Sequence, residues 1–193
     1  MLEFDKSERT AVVVIDMQTD FLEPGGILAA EGSEAIIPGI SRLLDLAREK
    51  GFPILYTKEM HRSCGSDFGI EDAFEPFHCV EGTGGLEIVD ALKPKDGDFI
   101  IANKRRYDAF MGTDMDLLLR DLKVKNLIFT GVCTDICVIS TIHHARNLDY
   151  KVAVLTDCTA GSTRERHEMA FKLMEHCFAK VMNLEEAIRE FEL

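Results

Sequence analysis

The amino-acid sequence predicts an α/β protein whose mainly parallel sheet is covered by helices on both faces. Short, continuously apolar runs alternate with stretches in which apolar residues recur every three or four positions, which is typical of parallel strands alternating with helices. Apolar residues make up 46% of the 193 residues, enough for a substantial core. No linker-like segment or internal repeat divides the chain, so we expect a single domain over residues 1–193.

The apolar runs predict six strands, at 11–15, 53–56, 98–102, 126–130, 152–155 and 179–182. Helical periodicity predicts helices at 33–50, 113–122, 136–148, 163–177 and 184–191, and a short helix near 86–92. Ser33 is the predicted N-cap of the first helix and Gly51 its stop, and a loop is predicted at 24–26. Residues 58–97 otherwise lack periodicity, and such a long irregular segment in a compact domain is usually functional.

The composition excludes several classes of partner. The formal net charge is −12 and the pI is about 4.9, so the surface repels phosphate backbones and anionic lipid, and we expect neither nucleic acid nor membrane as partner. No run approaches the roughly 20 apolar residues of a membrane span. The charged N-terminal sequence MLEFDKSER does not resemble a signal peptide. The six cysteines are therefore expected to be thiols in a cytoplasmic protein.

Three reactive residue types fall at predicted strand ends, where open parallel sheets bind ligands. Asp16 follows the first strand, Lys104 lies just beyond the third, and Cys137 follows the fourth at the start of a helix. Taken singly, each has a simpler interpretation, as a turn residue, a solvated lysine or a small buried apolar side chain. Together they form a nucleophile, a general acid/base and an electrostatic stabiliser. A helix N-terminus and a nearby ammonium are expected to favour the thiolate.

The chain resembles the isochorismatase-like cysteine hydrolases, which include nicotinamidases, N-carbamoylsarcosine amidases, ureidoacrylate amidohydrolases and biuret hydrolases. The resemblance covers nearly the whole chain and rests on four ordered motifs: VVIDMQTDF at 13–21, HCVEGT at 78–83, KRRYDAF at 104–110 and GVCTDICV at 131–138. It implies a three-layer α/β/α fold with a six-stranded, mainly parallel, Rossmann-like sheet, usually assembled into homodimers or homotetramers. It also implies an Asp16, Lys104 and Cys137 triad.

A non-proline cis peptide between Val132 and Cys133 is a further implication of the resemblance. This bond would turn the backbone N–H groups of Cys133 and Cys137 toward a developing oxyanion. The implied reaction cleaves the C–N bond of a small amide through a thioester on Cys137 and releases ammonia. We expect a small linear amide or ureide as substrate, and the reaction itself requires no cofactor.

Substrate and metal residues are predicted from the same resemblance. Phe21, Glu59, His61 and Tyr107 are the predicted substrate-binding residues. Nicotinamidases hold a metal with an Asp-x-His pair and a later histidine, which here correspond to Glu59, His61 and His78. This set can bind zinc, manganese or iron, although the longer Glu59 replaces the usual aspartate.

Other functions remain open at this stage. A nicotinamidase with a bound divalent metal and a catalytically retired homologue acting as a binding subunit are the alternatives. The cysteine at position 137 argues against vinyl-ether cleavage, which requires no nucleophilic thiol. A redox role for Cys133 and Cys137 is disfavoured by the demanding geometry of a disulfide. No glycine-rich dinucleotide motif follows the first strand.

Overall fold

The computed structural model describes residues 2–22 and 25–193, and its strands form one six-stranded sheet. The strands are β1 (Arg9–Ile15), β2 (Ile54–Glu59), β3 (Phe99–Lys104), β4 (Val124–Val132), β5 (Lys151–Ala160) and β6 (Lys180–Met182). Their spatial order is β3-β2-β1-β4-β5-β6, and each neighbouring pair is parallel. The predicted fold class is confirmed.

Helices cover both faces of this sheet, which explains why its central strands are continuously apolar. The α-helices are α1 (Thr19–Leu22), α2 (Ser33–Glu49), α3 (Met115–Asp121), α4 (Ile139–Asn147), α5 (Arg164–Cys177) and α6 (Leu184–Phe191). Val12 and Val14 of β1 face a core shared with α2 and α6. The alternate residues Val13 and Ile15 face a second core with α3, α4 and α5. Successive side chains of a strand point to opposite faces, so both sets are buried.

The structure differs from the predicted elements in the irregular segment and at the turn after β4. The helix predicted near 86–92 is wrong: the segment forms two short 3₁₀ turns, Gly84–Leu86 and Asp90–Leu92. The backbone between these turns contacts the chain just after β1, because Val89 N–H donates to Met17 O at 3.0 Å. The helix predicted at 136–148 begins earlier, as a π-helix over Thr134–Val138 that continues into α4.

Smaller differences concern single residues. Lys104 is the last residue of β3 rather than a residue just beyond its end. Ser33 is the first residue of α2, and Gly32 with a φ of 73° precedes it as the N-cap. The predicted loop at 24–26 lies partly outside the described residues. None of the helices within the described ranges is long and apolar enough to cross a membrane.

Candidate active site

The carboxyl edge of the sheet gathers the three segments that the sequence singles out. β1 lies in the middle of the sheet, with β2 and β3 on one side and β4, β5 and β6 on the other. Such a reversal of strand order opens a crevice at the carboxyl ends of the strands. Asp16 follows β1, Lys104 ends β3, and Cys133 follows β4, so the crevice receives side chains from all three.

Asp16 is fully buried at the end of β1 and is held in an unusual backbone conformation. Its φ of 46° lies in the left-handed region, which costs a non-glycine residue about 1–3 kcal/mol and is common at functional sites. Thr57 of β2 fixes it twice: Thr57 Oγ1 accepts from Asp16 N–H at 3.0 Å and donates to Oδ1 at 2.6 Å. Burial raises the pKa of the Asp16 carboxyl, although the ammonium of Lys104 opposes this shift. A carboxyl with a raised pKa is suited to exchanging protons.

Lys104 is fully buried and reaches both carboxylates and the thiol. Its Nζ lies 2.7 Å from Asp16 Oδ2, 2.5 Å from Glu59 Oε2 and 3.5 Å from Cys137 Sγ. Burial alone would lower the pKa of Lys104, but Asp16, Cys137 and Glu59 raise it well above its usual value. The lysine is therefore a fixed positive charge beside the sulfur atom.

Cys137 lies in the π-helix that follows β4. The turn begins with Gly131 at a φ of 104° and continues through a cis peptide between Val132 and Cys133. A π-helical turn is frequently found at functional sites, because it redirects a side chain within a helix. Here it places Sγ 3.5 Å from Lys104 Nζ and 3.8 Å from Glu59 Oε2. A carboxylate oxygen of Asp16, one of Glu59 and the sulfur lie within 4.8 Å of one another.

The protonation of this thiol differs from the sequence-based expectation. Burial raises the pKa of Cys137 well above its usual value; Lys104 opposes the shift, while Asp16 and Glu59 add to it. The lysine and the helix start therefore do not lower the pKa of Cys137 overall, as the sequence suggested. A thiol of this kind becomes nucleophilic when a neighbouring base accepts its proton, and Asp16 is placed to do so.

Glu59 connects this triad to two buried histidines. It ends β2 beside Lys104, and while Oε2 contacts the lysine, Oε1 lies 3.2 Å from Nε2 of both His61 and His78. Burial would raise the pKa of Glu59, but Lys104 and the two histidines hold it well below its usual value. Burial would likewise lower the pKa of His78, whereas its bonds to Glu59 and to Pro76 O raise it to about 8. Glu59 is thus an ionised carboxylate that links the triad to the two histidines.

Gln18, to which the sequence analysis assigned no role, fixes the backbone of this link. Its buried side-chain oxygen accepts from Glu59 N–H at 2.8 Å. Its Nε2 donates to Glu59 O at 2.8 Å and to Leu86 O at 2.9 Å. Gln18 lies within the VVIDMQTDF motif at 13–21, two residues after Asp16, and this position is the sequence signal that could have identified it.

A cavity of about 410 Å³ opens onto the thiol. Phe21 and Tyr107 lie on its wall, as predicted for substrate-binding residues, together with Val132 and Cys133. Glu59 also reaches the wall, but His61 does not: its ring is fully buried behind Glu59 and stacks on Phe68 at 3.9 Å. His61 is therefore placed to orient Glu59 rather than to contact a substrate.

The cavity also has walls that the sequence analysis did not identify. They are formed by residues 26–30, by Glu75 and Ile136, and by Ser162. Glu75 belongs to the irregular segment, whose path has no sequence signal. Asp135 holds Ser162 at the wall, because its carboxylate accepts from Ser162 N–H at 2.8 Å and from the Ser162 hydroxyl at 2.6 Å.

A group of buried donors beside the cavity fits a divalent metal. One ligand atom from each of Glu59, His61, Glu71 and His78 lies within 4.8 Å of the others. Glu71 Oε1 is buried and has no hydrogen-bond partner among the described residues, which indicates a place for a cation. Carboxylate oxygens and imidazole nitrogens suit zinc, manganese and iron. The predicted residues Glu59, His61 and His78 are therefore together, and Glu71 is an additional member.

A parallel α/β sheet with a buried cysteine, lysine and carboxylate at its carboxyl edge is the arrangement of an α/β cysteine hydrolase. The isochorismatase domain model matches residues 10–186 of the sequence. The chain belongs to the isochorismatase family, and the resemblance described above is confirmed.

Two curated relatives illustrate the range of this family. A probable inactive nicotinamidase of Arabidopsis thaliana is 32% identical over 190 residues, covering 94% of this chain and 96% of the relative. The ureidoacrylate amidohydrolase RutB of Rhizobium rhizogenes is 32% identical over 181 residues, covering 80% of this chain and 71% of the relative. The chain is thus a hydrolase of a family that includes amidohydrolases, which act on carbon–nitrogen bonds.

Solved structures agree with this assignment. An isochorismatase-like hydrolase from Alkaliphilus metalliredigens superposes with a TM-score of 0.87 at 34% identity, covering 94% of this chain and 98% of the other. The pyrazinamidase of Pyrococcus horikoshii in complex with zinc superposes with a TM-score of 0.83 at 32% identity, covering 91% and 99%.

Proposed function

We propose that this protein is a cysteine-dependent amidohydrolase that cleaves the C–N bond of a small, uncharged linear amide or ureide and releases ammonia. The observation that carries the proposal is the contact of Cys137 Sγ with Lys104 Nζ at 3.5 Å, with Asp16 on the same lysine at 2.7 Å. All three side chains are buried at the end of a cavity large enough for a small molecule.

The reaction begins with proton transfer from Cys137 to Asp16. The thiolate attacks the carbonyl carbon, and the oxyanion is stabilised by the backbone N–H groups of Cys133 and Cys137 and by the charge of Lys104. Asp16 returns the proton to the departing nitrogen, so ammonia leaves and a thioester remains. Asp16 then accepts a proton from water as the hydroxide attacks the thioester, and that proton returns to the sulfur atom as the acid leaves.

The charge of the cavity wall supports an uncharged substrate. Among the described residues of the wall, the charged side chains are Glu59, Glu75 and His78, whose pKa is raised to about 8, and neither lysine nor arginine lines it. The side chains at the undescribed positions 1, 23 and 24 are methionine, glutamate and proline, so none of them adds a cation. A substrate carboxylate in this cavity would face two carboxylates, and His78 is already bonded to Glu59, so placing the carboxylate there is costly in a partly dehydrated site.

A divalent metal is compatible with this function. Glu59, His61 and His78, with Glu71, would hold it, and when bound it would supply a positive charge beside the cavity wall. The zinc complex of the Pyrococcus horikoshii pyrazinamidase makes nicotinamidase the second candidate function. Nicotinamide is also uncharged, so the charge of the wall does not separate the two candidates.

The decisive experiment measures ammonia release from purified protein against five amides. Biuret and nicotinamide are uncharged, whereas ureidoacrylate, maleamate and N-carbamoylsarcosine carry a carboxylate. We expect turnover of biuret or another uncharged linear ureide. Turnover should be abolished by Cys137→Ser and retained by Cys177→Ser, which removes an exposed cysteine on α5.

Each other result has a defined meaning. Full turnover by Cys137→Ser would overturn the mechanism, and preference for a carboxylate-bearing amide would overturn the substrate class. Turnover of nicotinamide alone would select the second candidate. Absence of turnover with every amide, with Cys137 inert to alkylation even at alkaline pH, would select the retired binding homologue.

A further inference from the structure

Ser162 is a wall residue of the cavity that the proposed mechanism does not use. It lies in the turn between β5 and α5, and it lines the same cavity as Cys137. A serine hydroxyl has one hydrogen to donate and two lone pairs that accept. What Ser162 can offer a ligand therefore depends on which of these the protein already uses.

Asp135 and Arg166 together use two of these three capacities. Asp135 Oδ2 accepts the hydroxyl hydrogen of Ser162 at 2.6 Å, and Asp135 Oδ1 accepts from Ser162 N–H at 2.8 Å. Arg166 Nη1 donates to the hydroxyl oxygen at 3.2 Å. Both partners of the hydroxyl are charged, and hydrogen bonds to charged groups are stronger than those between neutral groups. One lone pair of Oγ is left, so Ser162 can accept a hydrogen bond from a ligand but cannot donate one.

The packing of the turn sets the position of this hydroxyl. Gly161 precedes it, and an added Cβ there would lie 2.9 Å from Asp135 Oδ1 and 2.7 Å from His167 Cβ. The absence of a side chain at Gly161 therefore allows Asp135 to approach the turn. In addition, Thr134 Oγ1 lies 2.8 Å from His167 Nδ1, which fixes the π-helix against α5. The Ser162 hydroxyl is thus held between these two helices.

Several other groups of the wall also favour a ligand with N–H donors. The carboxylate of Glu75, once ionised, accepts hydrogen bonds and has no hydrogen to donate. The N–H groups of residues 28–30 already donate to backbone carbonyls at 2.9–3.4 Å. Both ring nitrogens of His78 lie within 3.2 Å of protein oxygen atoms. The Tyr107 hydroxyl can donate or accept, so it opposes neither kind of ligand.

We propose that Ser162 is a specificity-determining residue, which accepts a hydrogen bond from a terminal –NH₂ group at the end of the substrate remote from the cleaved bond. The substrate is then a ureide with a carbamoyl group at each end, as in biuret, rather than a simple amide. A methyl group in place of the distal –NH₂ would leave the lone pair of Ser162 without a hydrogen. The inference rests on the proposed function, because it concerns how that substrate is oriented at Cys137.

Biuret and acetylurea provide the test, because they differ only in the distal group, which is –NH₂ in biuret and –CH₃ in acetylurea. We expect the wild type to favour biuret in kcat/KM by about tenfold or more, since a site built to bond an N–H group rejects the analogue that lacks it. Ser162→Ala should reduce this preference at least about threefold, mainly through a higher KM for biuret. Ser162→Thr keeps a hydroxyl and should retain the preference.

Ser7→Ala is the matched control. Ser7 also donates its N–H and its hydroxyl to one aspartate, Asp5, at 2.9 and 2.7 Å, but it is exposed and does not line the cavity. We expect this variant to keep the wild-type preference. An equal loss of kcat/KM for both ureides in Ser162→Ala would indicate a structural role and overturn the inference.

Failure of the inference is distinguishable from failure of the proposed function. Turnover of both ureides by the wild type without preference would keep the amidohydrolase and remove the role of Ser162. If the wild type releases ammonia from neither ureide, calorimetry with Cys137→Ser still compares the binding of the two. Tighter binding of biuret, lost when Ser162→Ala is added, would support the role of Ser162, and equal or undetectable binding of both would overturn it.

Discussion

Nζ of Lys104 lies 3.5 Å from Sγ of Cys137, yet the pKa of this thiol is raised rather than lowered. The reason is that the lysine is shared: Asp16 and Glu59 contact the same Nζ, and burial disfavours the thiolate further. The sulfur is thus kept as a neutral thiol until its proton can move to Asp16. Because the thiolate is the reactive form, this arrangement lowers the reactivity of the cysteine toward other electrophiles.

Because Asp16 and Cys137 share Lys104, we expect Asp16→Asn to increase the reactivity of the Cys137 thiol toward alkylation and to decrease turnover. The Asp16 carboxylate raises the pKa of Cys137, so removing its charge should lower that pKa and increase the thiolate fraction at a given pH. We expect alkylation of Cys137 by iodoacetamide at pH 8 to accelerate about three- to tenfold, while turnover falls by about 10²–10⁴ because the general base is lost.

The measurement is best made on chelator-treated protein in which the exposed cysteines Cys64 and Cys177 are replaced by serine. In the parent protein, alkylation should be slow at pH 7 and still rising above pH 9, because the pKa of the thiol lies well above its usual value. If Asp16→Asn slowed alkylation, or if the parent thiol titrated near pH 7, this account of the site would be wrong.

Glu75 provides a test of substrate charge. It lies on the cavity wall, so a positive charge there should favour a carboxylate-bearing amide. For Glu75→Lys we expect the ratio of kcat/KM for ureidoacrylate to that for biuret to rise by about tenfold or more. Asp72→Lys changes the charge of the same segment by an equal amount away from the wall, and should leave this ratio nearly unchanged. An equal effect of both variants would indicate a general surface-charge effect rather than contact with the substrate.

Much of the fold and the triad could be predicted from the sequence, because both follow from local patterns. Continuous apolar runs indicate parallel strands, and the ends of parallel strands share one edge, which brings Asp16, Lys104 and Cys137 together. The link through Glu59 could not be predicted. It depends on the register of β2 against β3, which pairs Glu59 with Lys104. It also depends on the length of the Glu59 side chain, which has one methylene more than the usual aspartate.

The side chains that the irregular segment contributes to the site could not be predicted from the sequence either. Glu71 and Glu75 lie four residues apart, yet one is buried beside the histidines and the other lines the cavity. No periodicity precedes them, so nothing local indicates which way either side chain points. The raised pKa of Cys137 was missed for a related reason, since burial and the number of nearby carboxylates depend on tertiary packing.

Gln18→Ala should destabilise the protein more than most substitutions of a single polar residue. It would leave Glu59 N–H, Glu59 O and Leu86 O without their side-chain partner in a buried site. Each unsatisfied group costs about 1–3 kcal/mol, so we expect a loss of about 3 kcal/mol or more in the free energy of unfolding. Urea denaturation measures this loss. Asn147→Ala, which removes an exposed side-chain bond to His143 O, should change stability by less than about 0.5 kcal/mol. Similar small losses in both variants would contradict the structural role assigned to Gln18.

Gly131→Ala tests how closely β4 must approach β1 for the site to form. At Gly131 the φ is 104°, and an added Cβ would lie 2.1 Å from Ile15 O and 2.7 Å from Ile15 N. Both obstructing atoms belong to the backbone of a central strand, so the clash can be relieved only by moving β1 or the turn that leads to Cys137.

Gly112→Ala is the matched control, because its φ of 73° is also left-handed but no heavy atom lies within 4 Å of the added Cβ. It should cost only the conformational strain of about 1 kcal/mol. We expect Gly131→Ala to lose several times more stability than Gly112→Ala in thermal unfolding, and to lose turnover even where it remains folded. Equal melting temperatures for the two variants would mean that the turn before Cys137 can shift away from β1 without cost.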